Sequence, residues 1–152
     1  MNIPIVIPTY KRSHLILSRT LNLLARLDYP QNNIFVVVGC SHEIDYWNYH
    51  SAITELYPNV NLLVGDNSNC KASQLNFIRN ELLEPKQLAL ILDDDLVEIL
   101  VRQNEKSLEP ITKDQFEKFL SIAPNLMREF NVGLCGVNST ANPFYMSDKV
   151  KL

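Results

Sequence analysis

Three adjacent carboxylates, Asp93, Asp94 and Asp95, follow the apolar run "LALIL" at residues 88 to 92, and the chain then resumes with Leu96 and Val97. Like charges in a row repel one another unless a cation or several hydrogen-bond donors offset them. Carboxylate oxygens select hard cations such as Mg²⁺ or Mn²⁺, which commonly bind through one or two carboxylates plus the phosphate oxygens of a substrate. Asp93, Asp94 and Asp95 together are the candidate metal–phosphate site. The competing reading is local: an acidic residue favours the start of a helical turn. One aspartate would suffice for that.

A second group follows the run "IPIVI" at 3 to 7, where "PTYKR" places Pro8, Thr9, Tyr10, Lys11 and Arg12. A tyrosine there can stack on a nucleobase, a threonine can hydrogen-bond it, and the cations can meet phosphate. The same residues also suit an ordinary strand-to-helix turn with solvated Lys and Arg. Arg79 and Asn80 form a third group, preceded by "KASQLNF", whose Lys71 and Gln74 share a polar side with Arg79. A solvated helix face is the alternative for these. Neither G-x-x-x-x-G-K-[ST] nor G-x-G-x-x-G is present, so P-loop and dinucleotide-binding readings lose their main support. His14, His42 and His50 lack metal-ligand spacing, and no G-x-S-x-G elbow marks a hydrolase.

These groups need elements to bring them together. Runs rich in Ile, Val and Leu recur at 3 to 7, 34 to 38, 60 to 64, 88 to 92 and 132 to 137. Their continuous rather than alternating apolar character suits strands covered on both faces. Ser13 is placed to cap a helix carrying Leu17, Leu21, Leu24 and Leu27. Residues 43 to 58 and 71 to 85 read as further helices, the latter with Leu75, Ile78 and Leu82 on one face. Residues 112 to 130 give another helix, with Pro124 expected to break or kink it. The stretch between the fourth strand and that helix reads as irregular and acidic. The order β-α-β-α-β-α-β, then α-β, predicts an α/β fold: an open, mainly parallel, Rossmann-like sheet with helices on both faces. In such a sheet ligands sit beyond the carboxyl ends of the strands, where the first two groups would lie.

The 152 residues are 46% apolar and 20% charged, enough for one domain with a real core, and disordered or fibrous classes drop out. A net charge of −3 provides no general attraction to nucleic acid or anionic membrane. Cys40, Cys70 and Cys135 form no C-x-x-C pair, and no run is long enough for a signal or a membrane span. A reduced, cytoplasmic protein with no membrane partner is expected.

Taken together, I-P-T-Y-K-R after the first strand, R-N in the helix before the acidic strand, and L-D-D-D ending that strand resemble the nucleotide-sugar half of GT-A type glycosyltransferases. The resemblance covers about the first hundred residues. It implies a metal-dependent hexosyltransferase with a nucleotide-diphosphate sugar donor, most often a uridine one, and a divalent cation, often Mn²⁺. Residues 1–152 would form a single GT-A-like domain, with 1–100 the donor half and 101–152 the start of an acceptor half. Under it Thr9 and Tyr10 hold the base, Pro8, Arg12, Arg79, Asp93 and Asp94 bind the rest of the nucleotide sugar, with Asp93 on the ribose or a metal-bound water, and Asp93 and Asp95 ligate the metal. With "GVNSTANPFY" added, the chain is also similar to TET-associated glycosyltransferases, which implies a hydroxymethylated pyrimidine in DNA as acceptor.

The chain departs from the family pattern twice. Where many members carry an acidic residue after the second strand, it has Gly39, Cys40 and Ser41, leaving Glu43 and Asp66 for that contact. Inverting members take a carboxylate base from the acceptor half, and here Asp148 is the candidate, in a segment whose Phe144 and Tyr145 can stack on a base or sugar. A truncated or compact relative, a retaining transfer and donor binding without turnover all stay open. So do a Mg²⁺-dependent nucleotidyl- or phosphotransferase and a non-catalytic nucleotide-sugar-binding module.

Overall fold

The computed structural model describes residues 3–39, 43–66, 70–104 and 106–136. The chain divides into two compact units, Met1–Val97 and Glu98–Leu152. No helix among the described residues is long and apolar enough to cross a membrane.

The first unit is an α/β structure around a four-stranded parallel sheet in the order β3-β2-β1-β4: β1 (Ile5–Thr9), β2 (Ile34–Val38), β3 (Asn61–Val64) and β4 (Leu90–Ile91). β1 pairs in register with β2, Ile5 opposite Ile34 and Thr9 opposite Val38, and with β4, Ile5 opposite Leu90. All five residues of β1 are buried, as a central strand covered on both faces requires. β4 is shorter than its apolar run predicts. It lies at the sheet edge with Ile91 42% exposed, so pairing ends where the second neighbour is missing.

The helices cover both faces, as the period-two alternation of β1 shows. Val6 packs with Val37 and Ile78, which lies in the π-helical stretch Ile78–Leu82 that continues α4 (Lys71–Phe77). Thr9, on the opposite face, bonds Tyr49 of α3 (Glu43–Leu56). This is the arrangement right-handed crossovers demand, since the chain steps outward from β1 through β3 and then returns past β1 to β4.

The first helical segment runs as α1 (Ser13–Ile16), a π-helical turn (Leu17–Leu21) and α2 (Asn22–Arg26). Ser13 does not cap it. Arg12 occupies that position with no side-chain cap bond, and its carbonyl accepts the N–H groups of Leu15 and Ile16. Ile16, Thr20, Leu21 and Leu24 form the buried stripe, and the segment stops at Asp28, whose left-handed φ of 52° suits a helix end.

The second unit corrects three expectations. The acidic connection is not irregular: β5 (Leu100–Asn104) and β6 (Ser107–Pro110) form an antiparallel hairpin with an irregular register between Arg102 and Asn104. α5 (Lys113–Glu129) runs unbroken across Pro124. It is opened by a capping box in which the Thr112 hydroxyl accepts the Gln115 N–H and the Gln115 side chain accepts the Thr112 N–H. Residues 132 to 136 form no strand. Leu134 is 88% exposed, and among the described residues Gly133 and Gly136 have no neighbours within reach of a Cβ and no strand offers a ladder to join.

Candidate functional site

Strand order reverses between β1 and β4, and a reversal of this kind opens a crevice at the carboxyl ends of the two strands. A cleft of about 390 Å³ lies there, within the size range of small-molecule sites. Pro8, Thr9, Tyr10 and Arg12 line it from the end of β1, and Asp93, Asp94 and Asp95 from the end of β4. Gly39 and the start of α4, with Cys70, Lys71 and Gln74, complete the lining.

The three carboxylates are not equivalent. Past β4 the chain enters a turn in which burial alternates: Leu92 and Asp94 are buried, while Ile91, Asp93 and Asp95 are exposed. Asp94, 6% exposed, accepts the Thr9 hydroxyl proton at 2.6 Å on one oxygen and the Arg12 guanidinium at 3.2 Å on the other. It is a structural carboxylate with both oxygens committed. Asp93 pairs with Lys71 at 2.5 Å, and Asp95 with Arg12 at 3.4 Å, all four side chains being about half-exposed or more.

The turn carrying these acids is held from the π-helical turn and from α2. The Thr20 hydroxyl donates to the Asp93 carbonyl at 2.7 Å and accepts the Leu96 N–H at 3.0 Å. Arg26 caps the Val97 carbonyl at 2.8 Å. A π-helical turn shifts the register of a helix face, a feature frequent at functional sites. Here it places a buried threonine under the acidic turn.

The floor of the cleft is Gln74, 5% exposed, whose amide donates to the Asp66 carbonyl at 2.5 Å. It lies so close to the ends of β2 and β3 that a Cβ at Gly39 would stand 2.8 Å from its Nε2, and one at Gly65 would stand 2.0 Å from its Oε1. A side chain at Gly39 would therefore have to displace the Gln74 amide.

Cys70 precedes α4 on the cleft wall. The backbone N–H groups of Ser73 and Ala72 at the start of α4 lower its pKa below the ordinary 9.0. Lys11, with a left-handed φ of 54°, turns its ammonium over the Tyr10 ring at 5.2 Å and does not line the cleft.

Most of the expected site residues thus meet in one place. Arg79 does not: it is exposed on the π-helical stretch and outside the lining, because Gln74 and Ile78, four apart, occupy the inward face and leave it turned away. Lys71 stands at the cleft as the second cation. Asp148, Phe144, Tyr145, Cys40, Ser41 and the Glu43 side chain lie outside the described residues. Tyr49 and Thr20 were not foreseen as site residues, although a polar residue on an otherwise apolar helical stripe, as Thr20 is, signals a buried hydrogen bond.

Among the described residues no three His, Cys, Asp or Glu side chains converge as a metal cage. Asp93 and Asp95 both line the cleft with exposed carboxylates, the donor type that a hard cation completed by phosphate oxygens would take. No protein-family model, curated protein or solved structure matches this chain.

Proposed function

We propose that the chain binds a nucleotide-diphosphate sugar, a uridine one first, in the crevice between β1 and β4, and transfers the sugar to an acceptor hydroxyl. The observation that carries this reading is the convergence, in one 390 Å³ cleft at the strand-order reversal, of an aromatic ring, two cations and two exposed carboxylates. Tyr10 offers a face for the base. Arg12 and Lys71 are placed for the two phosphates, Arg12 with a planar fork and Lys71 as a point charge.

In the transfer, the bond from the anomeric carbon to the diphosphate oxygen breaks, and a bond from that carbon to the acceptor oxygen forms. The acceptor loses its proton and the nucleoside diphosphate leaves with the extra negative charge. Arg12 and Lys71 stabilise that charge as it develops. Mn²⁺ or Mg²⁺, held on Asp93 and Asp95, would add a Lewis acid at the leaving group. A hydroxymethylated pyrimidine in DNA is the first acceptor to try, with Asp148 as the residue to test for proton removal.

The ion pairs make a specific demand on binding. A diphosphate competes with the carboxylates for Lys71 and Arg12, and a divalent cation competes with Lys71 and Arg12 for the carboxylates. Each ligand frees the groups the other needs, so each should raise the other's affinity by the same factor.

Calorimetry with UDP, UDP-glucose and GDP-mannose, in Mn²⁺ and then in EDTA, tests this. The expected result is binding of a uridine ligand that weakens about tenfold or more when the metal is removed. Mass-mapped alkylation of Cys70, on the cleft wall, should slow in the presence of that ligand. Affinity indifferent to EDTA would remove the metal from the reading, and folded protein that binds none of the three would remove the donor. Pyrophosphate released from a nucleoside triphosphate would instead favour a nucleotidyltransferase, and donor binding with no transfer to any acceptor a binding module.

A further inference from the structure

The Tyr49 ring is 1% exposed, and its hydroxyl has two partners at the cleft. It accepts the backbone N–H of Arg12 at 2.6 Å and lies 2.8 Å from the Thr9 hydroxyl. Thr9 has one hydroxyl proton, and it is given to Asp94. Tyr49 must therefore be the donor to Thr9. Burial pushes the Tyr49 pKa above its ordinary 10.0, so the phenol keeps the proton it donates.

These bonds close into a ring. From the Tyr49 hydroxyl it passes to Thr9, to one oxygen of Asp94, through the carboxylate to the Arg12 guanidinium, and back along Arg12 to its amide and Tyr49. Arg12 is thus gripped at both ends, by Asp94 at the guanidinium and Tyr49 at the backbone. Between Thr9 and Arg12 the chain passes through Lys11 at φ 54°, a conformation a side-chain-bearing residue keeps only where its surroundings impose it.

We propose that Tyr49, which does not line the cleft, is a positioning residue that sets the Tyr10–Arg12 turn and so aims Arg12 at the phosphates of the bound nucleotide. This rests on the donor-binding reading above. It assigns a role in α3 to a group that none of the three motifs contains.

The test uses Tyr49→Phe, which keeps the ring and removes the hydroxyl. Hydrogen exchange at the Arg12 amide should be slow in the wild-type chain and at least about tenfold faster in the variant. UDP affinity should fall about tenfold in Tyr49→Phe, yet the same substitution should cost nothing further in an Arg12→Ala background. A merely structural tyrosine would lower affinity equally in both backgrounds. Should Tyr49→Phe fail to fold, the wild-type amide decides: protection that UDP strengthens supports the proposal, and exchange at the rate of an open amide overturns it. UDP binding combined with an unprotected Arg12 amide or an additive cycle overturns this inference alone. No UDP binding by the wild-type chain overturns the donor reading and this inference with it.

Discussion

Asp94 sits between two carboxylates of the same type and differs from both in what its removal should do. Its oxygens serve Thr9 and Arg12 from a buried position, so Asp94→Asn leaves one of them facing an amide NH₂ in place of an acceptor. Hydrogen bonds to charged groups contribute about 1.5–3 kcal/mol, which places the expected loss near 2 kcal/mol. Asp93 and Asp95 make exposed ion pairs, and Asp93→Asn or Asp95→Asn should change stability by no more than about 1 kcal/mol. For metal-dependent UDP binding the order should reverse, with Asp93 and Asp95 decisive. Urea midpoints and EDTA-sensitive calorimetry on the three variants measure both orders. An Asp94→Asn variant as stable as the other two would contradict the assignment of the middle carboxylate to the fold.

Among elements, the π-helical turn Leu17–Leu21 is the one on which the acidic turn depends most directly, through a single hydroxyl. Thr20→Val preserves shape and removes both bonds, leaving the Leu96 N–H and Asp93 carbonyl without that partner. A loss of about 1–3 kcal/mol is expected. Faster hydrogen exchange should be confined to residues 93 to 97 and their neighbours, and a uniform loss of protection across the sheet would refute the local role. The apolar face of this helix was readable from its leucines, but not the π turn, because a shift of one residue in register leaves the hydrophobic spacing nearly intact. β1 and β2 were readable because continuous Ile and Val runs admit few alternatives. The hairpin β5–β6 was hidden by its polar sequence, "VRQNEKSLE", which lacks a buried face on each strand. Residues 132 to 137 misled for the opposite reason: Val132, Leu134 and Val137 have strand character, yet 132 to 136 have no strand beside them among the described residues. Of the site, Thr9, Tyr10, Arg12 and the aspartates were legible because they follow strands. Tyr49 was not, since its role depends on a pairing across forty positions that no local pattern carries.

At the scale of the molecule, three tyrosines tie the stability of the first unit to pH. Burial raises the pKa of Tyr29, Tyr49 and Tyr57 above the ordinary 10.0, and all three lie in Met1–Val97. Tyr29 donates its hydroxyl proton to the Ile3 carbonyl, and Tyr49 donates to Thr9, so two of them use the proton in the fold. Below pH 10 both folded and unfolded chains hold these protons, and stability is at its full value. As pH rises past 10 the unfolded chain releases them while the folded chain does not, so stability falls through the window between 10.0 and the higher folded values. Trp47, the one tryptophan of the sequence, lies in α3 two positions from Tyr49 and reports this unit by fluorescence. Urea midpoints followed at Trp47 should be constant with respect to these tyrosines up to about pH 9.5 and then decline. Tyr49→Phe should start from a lower midpoint at neutral pH, having lost two hydrogen bonds, and decline less steeply above pH 10, having one fewer proton to release. A variant curve parallel to the wild type through that window would show that the Tyr49 proton is not held by the fold, and would remove the donor from the ring that grips Arg12.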